Sequence, residues 1–166
     1  MIHSYDDSAD TERRLRYEAA EARDYDKFLR WTRDEAGYLG PTLELMQMTW
    51  HEFETLFRTV GRVYGIYEGE KPAGFYWIEE RDPLLHLHGL ILRRPFRGRG
   101  IGTTVLKMLE DRYRGEMDAI ELGVHRNNVR AHALYQRLGY ETVKVLDELG
   151  FYVMQKRLEN RSTPSE

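Results

Sequence analysis

The chain contains no cysteine. That excludes a disulfide scaffold, a zinc ribbon, a CxxC redox centre and a thiol nucleophile. It has no apolar run approaching the 18 or more residues of a membrane-spanning helix, so no membrane partner is expected. Met1 to Asp10 is polar and acidic and lacks the basic and apolar regions of a secretory signal, which makes the cytoplasm the expected location. Without that signal, Asn160-Arg161-Ser162 reads as a chance match to a glycosylation acceptor. A large charge excess is missing too. Lys and Arg number 25 against 28 Asp and Glu, a net charge of −3, which argues against a dedicated nucleic-acid binder. No internal repeat or low-complexity tract is present.

What remains is an ordinary globular composition, 41% hydrophobic and 32% charged. A length of 166 residues fits one domain with a real core. The ends, 1–11 and 159–166, read as frayed, leaving about 12–158 ordered. Arg14 to Ala20 reads as a strand. Ala22, Tyr25, Phe28, Leu29 and Ala36 place a helix over about 22–37, broken by Gly37 and Gly40-Pro41. Thr49 and Glu52 form a capping box for a helix over about 50–59. Arg62 to Tyr67, Pro72 to Glu79 and Leu84 to Leu92 read as an antiparallel meander. A helix over about 103–114, a strand Asp118 to Val124, a helix Asn128 to Leu138 and two strands over about 140–146 and 151–157 complete the order β-α-α-β-β-β-α-β-α-β-β. This is an α/β (α+β) mixture with an antiparallel half.

The densest chemistry lies in Arg97-Gly98-Arg99-Gly100-Ile101-Gly102-Thr103, between a strand and a helix. Glycines let a backbone approach a ligand closely, and a helix N-terminus presents free N–H groups with the positive end of its dipole. Arg93, Arg94, Arg97 and Arg99 crowd the same stretch. By its physics this is a pyrophosphate cradle. It is not a Walker loop, since no Gly-Lys-Ser/Thr follows, and G-x-G-x-x-G is absent. Downstream, Leu122-Gly123-Val124 ends a strand. Asn128 is a natural N-cap for a helix that carries Ala131, Leu134 and Tyr135 on one face and closes at Gly139-Tyr140.

Taken together, Arg97-x-x-Gly100-x-Gly102 and Asn128-x-x-Ala131-x-x-Leu134-Tyr135, with Leu138-Gly139-Tyr140 after them, resemble the GNAT superfamily of acyl-CoA-dependent N-acetyltransferases. The match spans about residues 84–140. It implies a mixed, mostly antiparallel central sheet flanked by about four helices and splayed between the fourth and fifth strands. It also implies acetyl-CoA as cosubstrate. The pyrophosphate would lie on the backbone of Arg97, Gly98, Arg99, Gly100, Ile101, Gly102 and Thr103. The pantetheine arm would pair with Leu90, Ile91 and Leu92, Asn128 and Ala131 would hold that arm, and the Tyr135 hydroxyl would face the thioester sulfur.

Such a transfer needs a proton taken from an ammonium and one given to a thiolate. Tyr135, with a phenol pKa near ~10, is the candidate acid. Many family members carry a glutamate base where this chain has Gly123. Period-two alternation on Leu84 to Leu92 puts His86, His88, Leu90 and Leu92 on one face. His86-Leu87-His88 is similar to the His-x-His strand of aralkylamine (serotonin) N-acetyltransferases, in which the pair relays the amine proton through water. Imidazole, titrating near ~6.5, suits a base at neutral pH. A metal site of His86 and His88 with His125 or His132 is disfavoured by the lack of thiols and of an obvious carboxylate ligand; no metal is expected.

The acceptor is expected to be the amine of a small molecule or peptide, attracted by Glu35 and Glu79 and walled by Tyr38 and Trp77, with His125 touching it. A non-catalytic acyl-CoA-binding or sensor domain is the alternative, favoured by Gly123 and opposed by Tyr135 and the histidine pair. A homodimer through the last strands is also possible.

Overall fold

A computed structural model describes residues 15–159. The readings of residues 1–11, of Arg14 and of the 160–166 tail with its Asn160 triplet lie outside them. Seven strands form one sheet: β1 (Leu15–Ala19), β2 (Arg62–Glu68), β3 (Lys71–Arg81), β4 (Leu84–Leu92), β5 (Ala119–His125), β6 (Glu141–Leu146) and β7 (Phe151–Arg157). Their spatial order is β1-β2-β3-β4-β5-β7-β6. Every neighbouring pair is antiparallel except β4 and β5.

Five helices flank the sheet: α1 (Ala22–Glu35), α2 (Leu39–Leu45), α3 (Trp50–Thr59), α4 (Ile101–Tyr113) and α5 (Val129–Arg137). The four expected from sequence are present, and α2 is additional. Gly40 and Pro41 read as breakers, but both fall in the first turn of α2. There the missing proline N–H would have no intrahelical partner anyway. The Thr49 capping box forms as expected. Glu52 N–H donates to Thr49 Oγ1 at 3.1 Å, and the Glu52 carboxylate accepts from Thr49 N–H at 2.8 Å. Among the described helices, none is long and apolar enough to cross a membrane.

Two apolar layers sandwich the sheet. On one face Phe28 and Leu29 of α1 and Phe57 of α3 pack on Val63, Phe75 and Trp77. On the other, Ile101, Val105, Leu106 and Leu109 of α4 and Tyr135 of α5 pack on Ile66, Ile78, Leu85, Leu87, Ile120, Leu122 and Met154. Apolar burial on both faces fixes the sheet's position between the helix layers.

Two irregularities of β4 shape everything that follows. Its parallel ladder with β5 runs only from Leu84↔Ala119 to Leu87↔Leu122. Beyond Leu87 the two strands part, as the resemblance implied. The second irregularity is a bulge. The β3 register passes from Trp77↔Gly89 to Ile78↔Leu87 and skips His88. A bulge inserts one residue and so inverts the alternation beyond it. Leu85 and Leu87 before the bulge, and Leu90 and Leu92 after it, therefore all pack toward the α4/α5 layer. Ile91 packs toward the α1/α3 layer, and His88 lies against Trp77 of that layer. The expected shared face of His86, His88, Leu90 and Leu92 is thus corrected: the histidines lie on the face opposite Leu90 and Leu92.

Candidate active site

Where β4 and β5 part, a cleft of about 1120 Å³ opens between the start of α4, the start of α5 and the α1–α2 turn. It is lined by Leu90, Ile91, Leu92, Arg97, Gly98, Gly100, Ile101, Gly102 and Thr103 from the first motif, and by Asn128, Ala131, Leu134 and Tyr135 from the second. Two motifs separated by a helix and a strand in sequence thus face one cavity.

The glycine loop divides its labour. Gly98 (φ 72°) and Gly100 (φ 80°) adopt left-handed backbone that side chains rarely accept, and no atom lies within 4 Å of the position a Cβ would take at either. The loop backbone is therefore open to a ligand. Gly100 caps α4, whose first N–H groups have no intrahelical acceptor. Gly102 serves packing instead, since a Cβ there would meet Leu134 Cδ2 at 3.4 Å. Arg97 acts as a strut: its guanidinium donates to the Leu92 carbonyl at 3.0 Å and is ion-paired with Glu35. The Arg99 side chain turns away to Glu68 at 2.7 Å and does not line the cleft.

On the α5 side, the Asn128 side chain accepts from Ala131 N–H at 3.4 Å, as an N-cap should. Tyr135 is 8% exposed, and its ring lies 5.9 Å from that of Tyr140. Burial pushes its phenol well above the ordinary value, with Tyr38 adding to the shift. Tyr38 closes the cleft from the α1–α2 turn. Its ring stacks on His125 (4.9 Å, 7°), and Phe151 meets both rings edge-on, at 5.9 and 5.1 Å. Burial raises the Tyr38 phenol too, partly offset by a hydrogen bond with Asn128. His125 Nδ1 accepts from Asn127 N–H at 3.1 Å. In its neutral form His125 therefore carries the proton on Nε2 and offers no free lone pair as a base. Burial, followed by the charge of Arg126, lowers its pKa.

His86 and His88 do not line the cleft. They lie beyond Leu90 on β4, with ring centroids 6.0 Å apart at 17°. His88 Nε2 is 2.9 Å from Glu79 Oε1, and Glu79 also pairs with Arg81 at 2.7 Å. Burial pushes the His86 imidazole below its ordinary value, against the opposing charge of Glu121.

The expected acceptor residues divide. Tyr38 and His125 line the cleft, and so does Glu35. Glu35 is not free to attract a cation, however, because Arg97 neutralises it. Trp77 is a core residue, 8% exposed, with its indole N–H donating to the Val60 carbonyl at 2.7 Å. Glu79 is held by His88 and Arg81. Sequence reasoning missed Glu121, which faces His86 from β5, and Gln155 of β7, whose amide donates to Glu121. The signal existed: period two along β5 puts Glu121 on the same face as Gly123 and His125.

Comparison with known proteins agrees with this geometry. Residues 25–140 match the family described as Acetyltransferase (GNAT) family. The chain belongs to that family, whose enzyme class is acyltransferase. It is 34% identical over 96 residues to an uncharacterized N-acetyltransferase of Methanocaldococcus jannaschii, covering 53% of this chain and 42% of that protein. This chain therefore spans less than half the length of that relative. The fold is similar to an acetyltransferase of Thermus thermophilus, with a TM-score of 0.67 and 18% identity over 87% of this chain and 97% of the other. It is equally similar to the spermidine N-acetyltransferase of Vibrio cholerae solved in complex with CoA and spermine, with a TM-score of 0.67 and 15% identity over 88% and 96%.

Proposed function

We propose that the protein transfers an acetyl group from acetyl-CoA to a primary amine of a small molecule or peptide, by direct attack within a ternary complex. The observation that carries this reading is the cleft itself. One continuous space joins the open backbone of the glycine loop to the buried Tyr135, along the edge of β4 that β5 leaves unpaired. The residues present fit an acyl-CoA. The N–H groups of the loop and of the first turn of α4 suit a pyrophosphate. The free edge of Leu90, Ile91 and Leu92 suits an extended amide-bearing arm, which pairs as a strand does. Asn128 and Ala131 border that arm from α5.

The donor supplies the reactive thioester. The protein's own groups then manage two protons. His86 and His88 relay one away from the acceptor ammonium, so that its nitrogen lone pair forms the new C–N bond as the C–S bond breaks. The Tyr135 hydroxyl donates to the departing sulfur. Tyr38 and His125 wall the acceptor side. The spermine-bearing relative supports an amine acceptor. The test is CoA release measured against a panel of amines and peptide N-termini. Release that requires one amine class supports the reading, and none with any acceptor refutes it.

A further inference from the structure

The last two rungs of the β4–β5 ladder before the strands part are His86↔Glu121 and Leu87↔Leu122. His86 Nδ1 lies 3.4 Å from Glu121 Oε1, and the second oxygen of that carboxylate accepts from the Gln155 side-chain amide at 2.6 Å. Gln155 is the cross-strand partner of Glu121 on β7, so three strands meet in one chain of contacts. The side chains of His86 and Glu121 are only 17% and 23% exposed. Gly123 follows on the same face of β5, and a Cβ there would meet no atom closer than Phe151 Cδ1 at 3.6 Å. No side chain of β5 therefore stands between Glu121 and the point where the strands part.

We infer that Glu121, held by Gln155, is a positioning residue for His86: it fixes the Nδ1-protonated tautomer and leaves Nε2 as the proton acceptor of the relay. This rests on the acetyl-transfer reading above. A carboxylate facing one imidazole nitrogen selects the tautomer that places hydrogen on that nitrogen, and it stabilises the imidazolium formed when the other nitrogen takes a proton. Along β4, His86 lies four residues before Leu90, about 13 Å at ~3.3 Å per residue. His88, two residues nearer to Leu90 on the strand, stacks its ring on that of His86, so in the relay His88 is the outer station and His86 the deeper one. The charged groups facing His86 are Glu121 from β5, Glu79 and Arg81 from β3, and His88 on its own strand. Arg81 and His88 disfavour its protonation, while Glu121 and Glu79 favour it.

The sign of the effect follows. Removing the charge of Glu121 makes His86 harder to protonate. In Glu121→Gln the acidic limb of kcat/KM should move to lower pH, and the plateau should fall about tenfold, less than the ~10²-fold or more for loss of the base itself. Glu121→Asp keeps the charge and should hold the limb near its wild-type pH. A second measurement does not depend on turnover. Imidazole ¹⁵N NMR, with His86 assigned by its loss in His86→Gln, reads tautomer and titration directly. The expected result is a neutral Nδ1–H tautomer whose titration moves to lower pH in Glu121→Gln. An Nε2–H tautomer, or a titration unchanged by Glu121→Gln, overturns the assignment. If the wild-type protein acetylates no amine, the acetyl-transfer reading fails, and the NMR result still decides whether Glu121 holds His86.

Discussion

Replacing Tyr135 by Phe separates chemistry from folding more cleanly than any other substitution here. The residue is 8% exposed, packs in the α4/α5 layer and also lines the cleft. No described residue hydrogen-bonds that hydroxyl, so its removal breaks no internal bond and leaves the packed ring in place. Stability should change by less than ~0.5–1 kcal/mol, the net worth of an ordinary hydrogen bond at most. Catalysis should respond otherwise. Burial raises the phenol pKa far above that of a free thiol, ~8.5. Full transfer of the proton to sulfur is then uphill, and the phenol acts as a fixed hydrogen-bond donor to developing thiolate charge. Losing one such donor from a dry site costs ~10²–10³-fold in kcat, or about 2.7–4 kcal/mol. The assay is steady-state CoA release across pH, with acetyl-CoA affinity by calorimetry and unfolding by urea. The prediction is a large loss in kcat with nearly unchanged affinity and stability. The raised pKa adds a further mark: Tyr135 should create no basic limb below about pH 10. A kcat within a few-fold of wild type refutes the role, and a matching fall in stability would assign the effect to packing.

Three further outcomes follow from the same structure. Gly100→Val places a branched side chain at φ 80° and in the open face of the loop, so acetyl-CoA affinity by calorimetry should fall at least tenfold, and unchanged affinity would remove the cradle. The double replacement of His86 and His88 by Gln should abolish the acidic limb of kcat/KM. Because burial depresses the His86 pKa, that limb should lie below ~6.5, with activity lost as pH falls through it; a limb that survives and tracks the pKa of the substrate amine would make the pair mere lining. Phe57→Ala removes a 2%-exposed ring packed against Tyr25, Phe53, Phe75 and Trp77, and should cost ~3–5 kcal/mol in urea unfolding. A loss below about 1 kcal/mol would mean that layer closes over the gap.

Motif spacing carried the proposed donor half of the site into view. Arg97 to Thr103 and Asn128 to Tyr135 are local signals, since each sits in one turn and one helix start, and they meet because both elements cap the sheet at the same end. The acceptor half depends on what a strand's neighbours do. The His88 bulge is visible only against β3, and it reverses which residues share the histidines' face. Glu121 means little until the register sets it opposite His86. Trp77 and Glu35 had suitable chemistry for an acceptor pocket, but tertiary packing gave one to the core and the other to Arg97. The α2 helix was hidden for a local reason: glycine and proline interrupt a helix in its interior but not in its first turn.

The half-paired length of β4 has a thermodynamic consequence. From Gly89 to Leu92 the strand is held by β3 on one side, and Leu90 to Leu92 turn the other edge toward an internal cleft. A sheet edge on the outside of a molecule invites other chains; this one is screened by the turn before α2 and by the start of α5. A ligand that binds only the native state and bridges β4 to α5 would add its binding free energy to the cohesion between the two halves of the sheet. At a hundred times its dissociation constant that is about 2.7 kcal/mol. The melting temperature of this protein would then serve as a gauge of its donor supply, rising as the cleft fills and falling as it empties.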